Sequence, residues 1–403
     1  MAAADHHDDK LHIAMFPWLA IGHMMPWVEL VKLIAQKGHS VSFISSPRNI
    51  DRLPQIPTSL SPFLRFVKLP LPPVDGLPPS AEATTNLPPN QVQYLKKSLD
   101  LLQQPVTRIL GSLRPDWIFY DFAQYWARPI AARLGIKSSF FSICIPAFLR
   151  FLGPPSVLID GGDYRKKPED FTVAPNWVDF PSTVAYTYYD IKNTFDCVED
   201  DASGVNDLIR IGLSARNCDV VTVRSCSEFD SDWLRLLENI YEKPVLPVGQ
   251  LPPPPPLRRG GQSRSGSTSR GADPWSTWHS GARRNRLRIL GHGSVGGFLT
   301  HSGWSSVVEA LSLRRALILL TFYSDQGINA RVLEERELGY CIPRDESDGS
   351  FTRDSLAESL RVVMVSEEGK VYRDKAKEMS GLFGDRGRQS RYVDNVLAHL
   401  FNK

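Results

Sequence analysis

Short apolar runs alternate with helical segments along most of this chain, and the alternation limits the possible folds more than any other feature. The segment LHIAMFPW (11–18) is predicted as a buried strand, PWVELVKLIAQKG (26–38) as a helix and SVSFIS (40–45) as a second strand. Pro26 lies where a helix can begin, and Gly38 lies where one can end. The order strand, helix, strand predicts a βαβ unit and therefore a parallel sheet.

The alternation continues and predicts two α/β units. In the first half, further strands are predicted at 64–69, 116–121, 138–144 and 219–225, and helices at 89–104 and 125–135. In the second half, strands are predicted at 295–300 and 316–322, and helices at 304–313, 326–338, 353–366 and 387–402. A chain of 403 residues is too long for a single hydrophobic core, which also favours two domains.

The stretch between the two halves has a different composition. Residues 252–288 contain eight arginines, no lysine and one aspartate, and they are rich in proline, glycine and serine. This composition is typical of a linker. An Arg-rich arm for nucleic acid is the alternative, but no aromatic-rich fold accompanies it and the net charge of the whole chain is only +3. We therefore predict an irregular linker and no nucleic-acid partner.

The cysteines and the apolar runs indicate the compartment. The five cysteines are odd in number and far apart, and no CxxC pair predicts a zinc site or a disulfide framework. They are Cys144, Cys197, Cys218, Cys226 and Cys341. The N-terminus lacks the pattern of a signal peptide, and no apolar run approaches the roughly 18 residues that span a bilayer. We therefore predict a cytoplasmic protein with no metal and no membrane span.

Two loops of the first half carry candidate acid–base residues. Ligands of a parallel α/β sheet bind at the carboxyl ends of its strands. His23 follows the first predicted strand and precedes a helix, where a neutral imidazole suits a general base; a capping residue is the alternative. Asp121 follows an apolar strand and can orient an imidazole as the acid of a triad does, or it can cap a helix. The loops alone leave both alternatives open.

The stretch GGFLTHSGWSSVVEAL (296–311) places polar side chains directly after a predicted strand. His301 ends this strand, and Gly303 allows a tight turn. Ser305 and Ser306 begin the next helix, where backbone N–H groups, hydroxyls and the helix dipole form a ready anion site. This loop is therefore a candidate phosphate site.

Further polar residues of the second half suit the hydroxyls of a sugar. Glu309 lies three and four residues after the two serines, on the same helical face, and its carboxylate can accept two hydroxyls, as a ribose offers them. The next strand leads to Asp325 and Gln326, which can bind several hydroxyls of a hexose or cap a helix. A phosphate and a sugar together indicate a nucleotide. The alternative is a strand–turn–helix with a capping serine and a core Trp304.

Together these loops resemble one family. The stretch ILGHGSVGGFLTHSGWSSVVEALSLRRALILLTFYSDQ (289–326) resembles the donor-binding signature of plant UDP-dependent glycosyltransferases of secondary metabolism. The N-terminal HIAMFPWLAIGHMMPWVELVKLIAQKGHSVSFISSPRNIDRLP (12–54) resembles the same family, in the branch described as flavonoid or saponin glucosyl- and rhamnosyltransferases. The likeness extends over about 11–250 and 289–403.

The resemblance implies a fold of GT-B type, in which two Rossmann-like α/β domains face each other across a cleft. The acceptor-binding domain would comprise residues 1–245, and an irregular linker would follow at 246–288. The UDP-sugar-binding domain would comprise 289–386, and a last helix, 387–403, would pack back on the first domain. The family further implies a monomer.

The resemblance also implies a reaction and a set of roles. His23 would deprotonate a hydroxyl of the acceptor, and Asp121 would hold and charge-balance His23. The hydroxyl would attack the anomeric carbon with inversion, and UDP would leave without help from a metal. The donor-binding residues would be His301, Ser305 and Ser306 around the diphosphate, Glu309 at the ribose, Trp304, Asp325 and Gln326 at the sugar, and Gly303 in the turn after His301. The UDP-sugar is a co-substrate, and the acceptor would be a small apolar hydroxylated molecule of the flavonoid, terpenoid or saponin class.

The chain departs from the family pattern in its second half. Residues 283–286 read Arg-Arg-Asn-Arg where the family carries Trp-x-Pro-Gln, whose Trp stacks on uracil and whose Gln binds the nucleoside. Loss of such a stack costs about 1–3 kcal/mol. Ser305 replaces a usual Asn and Arg314 a usual Gly, and only 256–288 stands where members carry several strands and helices. We therefore predict a shortened C-terminal domain. The alternative is an inactive remnant or a mispredicted gene product of the family.

Overall fold

The computed structural model describes residues 10–195, 201–254 and 285–402, and a parallel sheet forms the centre of the first half. Its strands are β1 (His12–Phe16), β2 (Ser40–Ser45), β3 (Leu64–Lys68), β4 (Trp117–Tyr120), β5 (Lys137–Ser142), β6 (Val220–Val223) and β7 (Val245–Pro247). They lie in the order β3-β2-β1-β4-β5-β6-β7, and all neighbouring pairs are parallel. The α/β class predicted from the sequence is confirmed.

Helices cover both faces of this sheet. They are α1 (Ile21–Gln36), α2 (Pro47–Asp51), α3 (Val92–Asp100), α4 (Gln103–Leu113), α5 (Ala127–Arg133), α6 (Pro146–Leu152), α7 (Pro155–Asp160), α8 (Tyr188–Thr194), α9 (Asp207–Asn217) and α10 (Ser227–Tyr241). Ile13 and Met15 of β1 share an apolar cluster with Trp27 of α1. Ala14 and Phe16 point to the other face and belong to a different cluster. Burial on both faces explains why the strands are continuous apolar runs.

The second half contains a shorter parallel sheet. It has three strands, β8 (Gly297–Thr300), β9 (Ala316–Leu319) and β10 (Gly339–Cys341), in the order β10-β9-β8. Its helices are α11 (285–290), α12 (Trp304–Ser312), α13 (Gln326–Glu335), α14 (Arg353–Met364), α15 (Lys370–Gly384) and α16 (Arg386–Phe401). Within the described ranges, no strand pairs with the outer edge of β8. Leu299 on β8 is 40% exposed and Ile289 on α11 is 62% exposed, as expected where covering strands are missing.

The two halves share an apolar core. Phe151 and Tyr186 of the first half belong to one buried cluster with Trp304 and Ile328 of the second. The hydroxyl of Tyr186 donates a hydrogen bond to the backbone oxygen of Ser324 at 2.8 Å. A sheet of three short strands buries little surface by itself, so this shared cluster supplies much of the core of the second half.

The last helix, α16, lies against the first half. Val393 and Leu397 belong to the same cluster as Trp27 of α1. The side-chain oxygen of Gln389 accepts the backbone N–H of Gln250 at 2.5 Å. The helix therefore contacts both α1 and the segment that leaves the first sheet.

Several predicted boundaries are wrong. Helix α1 begins at Ile21 and not at Pro26, so the proline lies inside the helix and removes one backbone hydrogen bond. The predicted helix 89–104 is divided between α3 and α4. Residues 285–288, predicted as irregular linker, belong to α11, where Leu287 is buried. The Arg-rich residues 255–284 lie outside the described part of the chain.

Among the elements that escape prediction, four have a weak sequence signal. Strands β7 and β10 have three residues each, too few to show a period of two. Helix α15 buries only Ala376 and Phe383, so its apolar stripe is thin. Helix α10 contains a non-helical residue, Asp230, that interrupts its pattern. Strand β7 also carries the first sheet to Pro247, two residues past the predicted domain limit.

Helix α12 ends in a Schellman turn with an arginine at the left-handed position. The N–H of Arg315 donates to the carbonyl oxygen of Ala310 at 2.9 Å, and that of Arg314 to Leu311 at 3.0 Å. Arg314 has a φ of +64°. This conformation costs a residue with a Cβ about 1 kcal/mol relative to glycine, which gives a physical reason for the glycine that the resemblance places here.

We expect Arg314→Gly to raise the free energy of unfolding by about 1 kcal/mol, because glycine adopts positive φ without steric cost. Arg314→Ala is the matched control. It removes the same hydrogen bond from Nε to the Ser380 hydroxyl, 3.3 Å long, but keeps the Cβ. Thermal unfolding followed by circular dichroism measures both, and equal stability of the two variants would contradict the explanation.

Candidate active site

The strand order of the first sheet reverses between β1 and β4, and the loops after these strands carry His23 and Asp121. Such a reversal opens a crevice at the carboxyl ends of the strands, where α/β proteins bind ligands. His23 lies in the first turn of α1, and Asp121 precedes the 3-10 helix Phe122–Gln124. The topology thus brings together two side chains that are 98 positions apart.

His23 and Asp121 form a hydrogen-bonded pair. Nδ1 of His23 lies 2.7 Å from Oδ2 of Asp121, and the exposed fractions of the side chains are 20% and 2%. The backbone N–H groups of Trp18 and Phe122 donate to the same carboxylate at 3.2 and 2.8 Å. Asp121 therefore caps a helix and also orients the imidazole, so both interpretations of this residue hold. Nε2 of His23 is the ring nitrogen left for a ligand, as in a base oriented by a buried acid.

The loop after β8 holds the exposed side chain of His301 beside the backbone of Gly303. Ser302 has the left-handed backbone, with φ +68°, whereas Gly303 has φ −58°. The predicted role of Gly303 as the flexible turn residue is therefore wrong. A Cβ at Gly303 would lie 2.4 Å from Nε2 of His301, so a larger residue there would have to displace the imidazole.

Trp304 belongs to the core. Its indole is 3% exposed and contacts the rings of Phe229 and Phe383. Its Nε1–H donates to Oε1 of Gln250 at 2.9 Å. The predicted contact between the Trp304 side chain and a sugar is therefore corrected, since the ring is buried and only the backbone of this residue remains for a ligand.

The N-terminus of α12 receives a guanidinium from the first half. Ser305 and Ser306 lie in the first turn, and the Ser305 hydroxyl accepts a hydrogen bond from Nη1 of Arg224 at 2.7 Å. Nε of Arg224 donates to the backbone oxygen of Gln250 at 2.8 Å. Arg224 is buried and adds positive charge beside the helix dipole, which favours an anion. Arg224 is not among the residues predicted from the sequence, although an arginine at the end of the apolar strand 219–225 is a usable signal.

Glu309 is held by an arginine from α11. Its Oε2 lies 2.6 Å from Nη2 of Arg286. The carboxylate is fully buried, and a buried charge requires such a partner. The candidate ribose ligand is therefore already engaged, by a residue that stands where the resembling family carries its nucleoside-binding glutamine.

Asp325 and Gln326 begin α13 and close the loop after β9. Nδ2 of Asn329 donates to Oδ2 of Asp325 at 2.8 Å and to the backbone oxygen of Ser302 at 3.0 Å. Oε1 of Gln326 accepts the backbone N–H of Phe322 at 3.0 Å. Asn329 thus ties this loop to the loop after β8 and fixes the two strand ends relative to each other.

Asp325 interacts electrostatically with both candidate histidines. Burial raises the pKa of the Asp325 carboxyl, while the hydrogen bond from Asn329 and the charges of His23 and His301 oppose the rise. Burial lowers the pKa of His301, with Asp325 opposing and Arg286 reinforcing the shift. These interactions link the candidate base of the first half to the candidate sugar-binding residue of the second.

The part of the chain that the structure describes contains no candidate metal site at this crevice. No group of three or more His, Cys, Asp or Glu residues there could hold a metal ion. None of the helices in the same ranges is long and apolar enough to cross a membrane. Burial raises the pKa of Cys218 to about 11 and that of Cys226 to about 12, so these thiols act as packing groups.

We expect His301 to titrate below the ordinary histidine pKa of 6.5. Asp325→Asn removes a favourable charge and should lower the midpoint further, whereas Arg286→Gln should raise it. Because the folded pKa lies below the unfolded one, His301 costs stability as the pH falls through 6.5 toward the folded value. Titration of the imidazole protons by NMR measures the midpoint, and a higher midpoint in Asp325→Asn would contradict this arrangement.

Comparison with known proteins identifies the family. A sequence model described as "UDPGT: UDP-glucoronosyl and UDP-glucosyl transferase" matches residues 285–391. The chain is 42% identical to UDP-glycosyltransferase 91A1 of Arabidopsis thaliana, over 98% of each chain. It is 32% identical to Soyasaponin III rhamnosyltransferase of Glycine max, over 98% of this chain and 97% of the relative.

A solved structure shows the same fold. Glycyrrhiza uralensis UGT73P12 complexed with glycyrrhetinic acid 3-O-monoglucuronide superimposes with a TM-score of 0.74, over 98% of this chain and 96% of that chain, at 16% identity. The likeness confirms the GT-B fold class. The alignment with the Arabidopsis relative extends over 465 positions against 403 residues here, which agrees with a shortened second domain. The chain therefore belongs to the plant UDP-glycosyltransferases, a family that transfers sugars from UDP-sugar donors.

Proposed function

We propose that this chain transfers a hexosyl group from a UDP-sugar to a hydroxyl of a small apolar plant metabolite, with inversion at the anomeric carbon. The observation that carries the proposal is the His23–Asp121 pair, 2.7 Å apart at the point where the strand order reverses. Asp325 of the second half lies near enough to His23 for their charges to interact. A direct transfer needs a general base and a sugar-binding side chain on opposite sides of one crevice.

The proposed reaction has one chemical step. Nε2 of His23 takes the proton of the acceptor hydroxyl as its oxygen attacks the anomeric carbon. The bond from that carbon to the diphosphate oxygen breaks on the opposite side, and UDP leaves with the electron pair. The buried carboxylate of Asp121 holds the ring in one orientation and stabilises the imidazolium that forms.

The donor would lie along the strand ends of the second half. His301, Ser305 and Ser306 would hold the diphosphate, supported by the N–H groups at the start of α12. Arg224 adds charge there, since it contacts Ser305 at 2.7 Å. Glu309 would accept the ribose hydroxyls. The other proposed donor contacts are the backbone of Gly303 and Trp304 and the side chains of Asp325 and Gln326 at the hexose.

The acceptor class is proposed from the relatives. One relative is named for soyasaponin III, and a structural neighbour holds glycyrrhetinic acid 3-O-monoglucuronide. We propose an acceptor of the saponin, terpenoid or flavonoid class, a chain that acts as a monomer and a cytoplasmic location. We further propose domain limits of 1–245 and 289–386, with 387–403 as the returning helix.

A second candidate is a catalytically inactive remnant, or the product of a mispredicted gene. The open edge of β8 favours it, because the described strands of the second sheet number three. Calorimetric titration of UDP and UDP-glucose into the purified chain separates the candidates. Micromolar binding supports a working donor site, whereas a folded sample without binding means that the family name describes ancestry and not activity.

We expect His23→Ala and Asp121→Asn to lower the rate of transfer by about 10²- to 10⁴-fold, because each removes part of the general base. Calorimetric UDP affinity should stay unchanged in both. Asp116→Asn is the matched control, since Asp116 precedes the same strand β4 at its opposite end and accepts the backbone N–H of His12 at 2.7 Å. Full transfer activity in His23→Ala would show that another group is the base.

We expect Glu309→Ala to weaken UDP binding by about 10- to 100-fold, since hydrogen bonds to a charged group contribute about 1.5–3 kcal/mol. Glu358→Ala serves as control, because Glu358 lies exposed on α14 and pairs only locally with Arg361. Calorimetry measures both affinities. Equal UDP affinity of Glu309→Ala and the unaltered chain would remove Glu309 from the donor site.

A further inference from the structure

Arg286 forms an ion pair with Glu309, the proposed ribose ligand. Nη2 of Arg286 lies 2.6 Å from Oε2 of Glu309, and the exposed fractions of the two side chains are 38% and 1%. The carboxylate is therefore fixed in the interior, while the guanidinium reaches it from a partly solvated side chain. A ribose hydroxyl that donates to Oε2 of Glu309 has to replace this guanidinium, which occupies the same oxygen.

Arg286 also acts on the proposed phosphate end of the crevice. Its charge lowers the pKa of His301, so the guanidinium lies within electrostatic reach of the imidazole. His301 leads directly into the N-terminus of α12, where the diphosphate is proposed to bind. Nε of Arg286 has no hydrogen-bond partner among the described residues, so the guanidinium keeps donor capacity that a phosphate oxygen can use.

We propose that Arg286 makes ribose binding at Glu309 conditional on a phosphate, by exchanging its contact with the carboxylate for one with the diphosphate. This inference rests on the proposed function, because it takes Glu309 as the ribose ligand. A uridine diphosphate offers the guanidinium a new anionic partner as it takes Glu309. A nucleoside offers none, so the ion pair opposes its binding.

The exchange would make Arg286 a specificity-determining residue for the charged part of the donor. It gives this position a function different from that of the glutamine that the resemblance places there, since an amide neither neutralises a buried carboxylate nor attracts a diphosphate. The selectivity of the site for UDP over uridine would then depend on one side chain.

The test compares UDP and uridine binding in three forms of the full chain. Calorimetry gives the dissociation constant of UDP, and ligand-observed NMR gives that of uridine, for the unaltered chain, Arg286→Gln and Arg288→Gln. Arg288 is the matched control because it lies exposed on the same helix, two residues further on. Arg286→Gln should lower the ratio of the uridine constant to the UDP constant by about tenfold or more, and Arg288→Gln should leave it unchanged.

The possible outcomes separate this inference from the proposed function. If UDP binds the unaltered chain and Arg286→Gln leaves the ratio unchanged, the role of Arg286 is wrong and the donor site stands. An equal change in Arg288→Gln would reduce the effect to general charge and would also overturn the inference. If neither ligand binds any of the three folded forms, the donor site itself is absent and both proposals fail.

Discussion

Gln250 connects three parts of this molecule, and the position of the shortened second domain depends on that connection. Its backbone N–H donates to Gln389 of α16, and its backbone oxygen accepts Arg224 at the end of the first sheet. Its side chain accepts the indole N–H of Trp304 at the start of α12. Gln250 is fully buried, so each unmade hydrogen bond would cost about 1–3 kcal/mol. The neighbouring Gly249, with φ +84° and no room for a Cβ beside Gln389, permits the turn.

This connection explains how a three-stranded sheet stays ordered. The apolar residues of α12 and α13 share a cluster with Phe151, Tyr186 and Phe229 of the first half. A complete domain would bury these residues within itself. The missing strands therefore leave the outer side of β8 uncovered, where Leu299 is exposed, and do not uncover the crevice side. The domain is therefore incomplete where it meets solvent and packed where it meets its neighbour.

Much of the fold could be predicted because strand and helix periods differ in the sequence. The sequence pattern predicts the order of β1, α1 and β2. The rule that ligands bind at the carboxyl ends of strands indicates His23, Asp121 and His301. Helix boundaries are less predictable. Pro26 wrongly indicates the start of α1, since a proline shows only that one backbone hydrogen bond is missing. Contacts between segments that are distant in the sequence, such as that of Arg224 with Ser305, leave no periodic pattern in the local sequence and therefore could not be predicted.

The two parts of the proposed site depend on different parts of the fold. The His23–Asp121 pair depends only on the seven-stranded sheet, whose strands are all paired in order, so the acid–base geometry does not depend on the missing part of the second domain. The donor residues depend on loops that leave β8 and β9, and none of the described strands pairs with the outer edge of β8. Ties from Asn329 and Arg224 hold these loops from the crevice side. Transfer requires the acceptor oxygen and the anomeric carbon to lie about 3–3.5 Å apart and in line, so the rigidity of those ties, more than the number of strands, decides whether the chain can catalyse the reaction of its family.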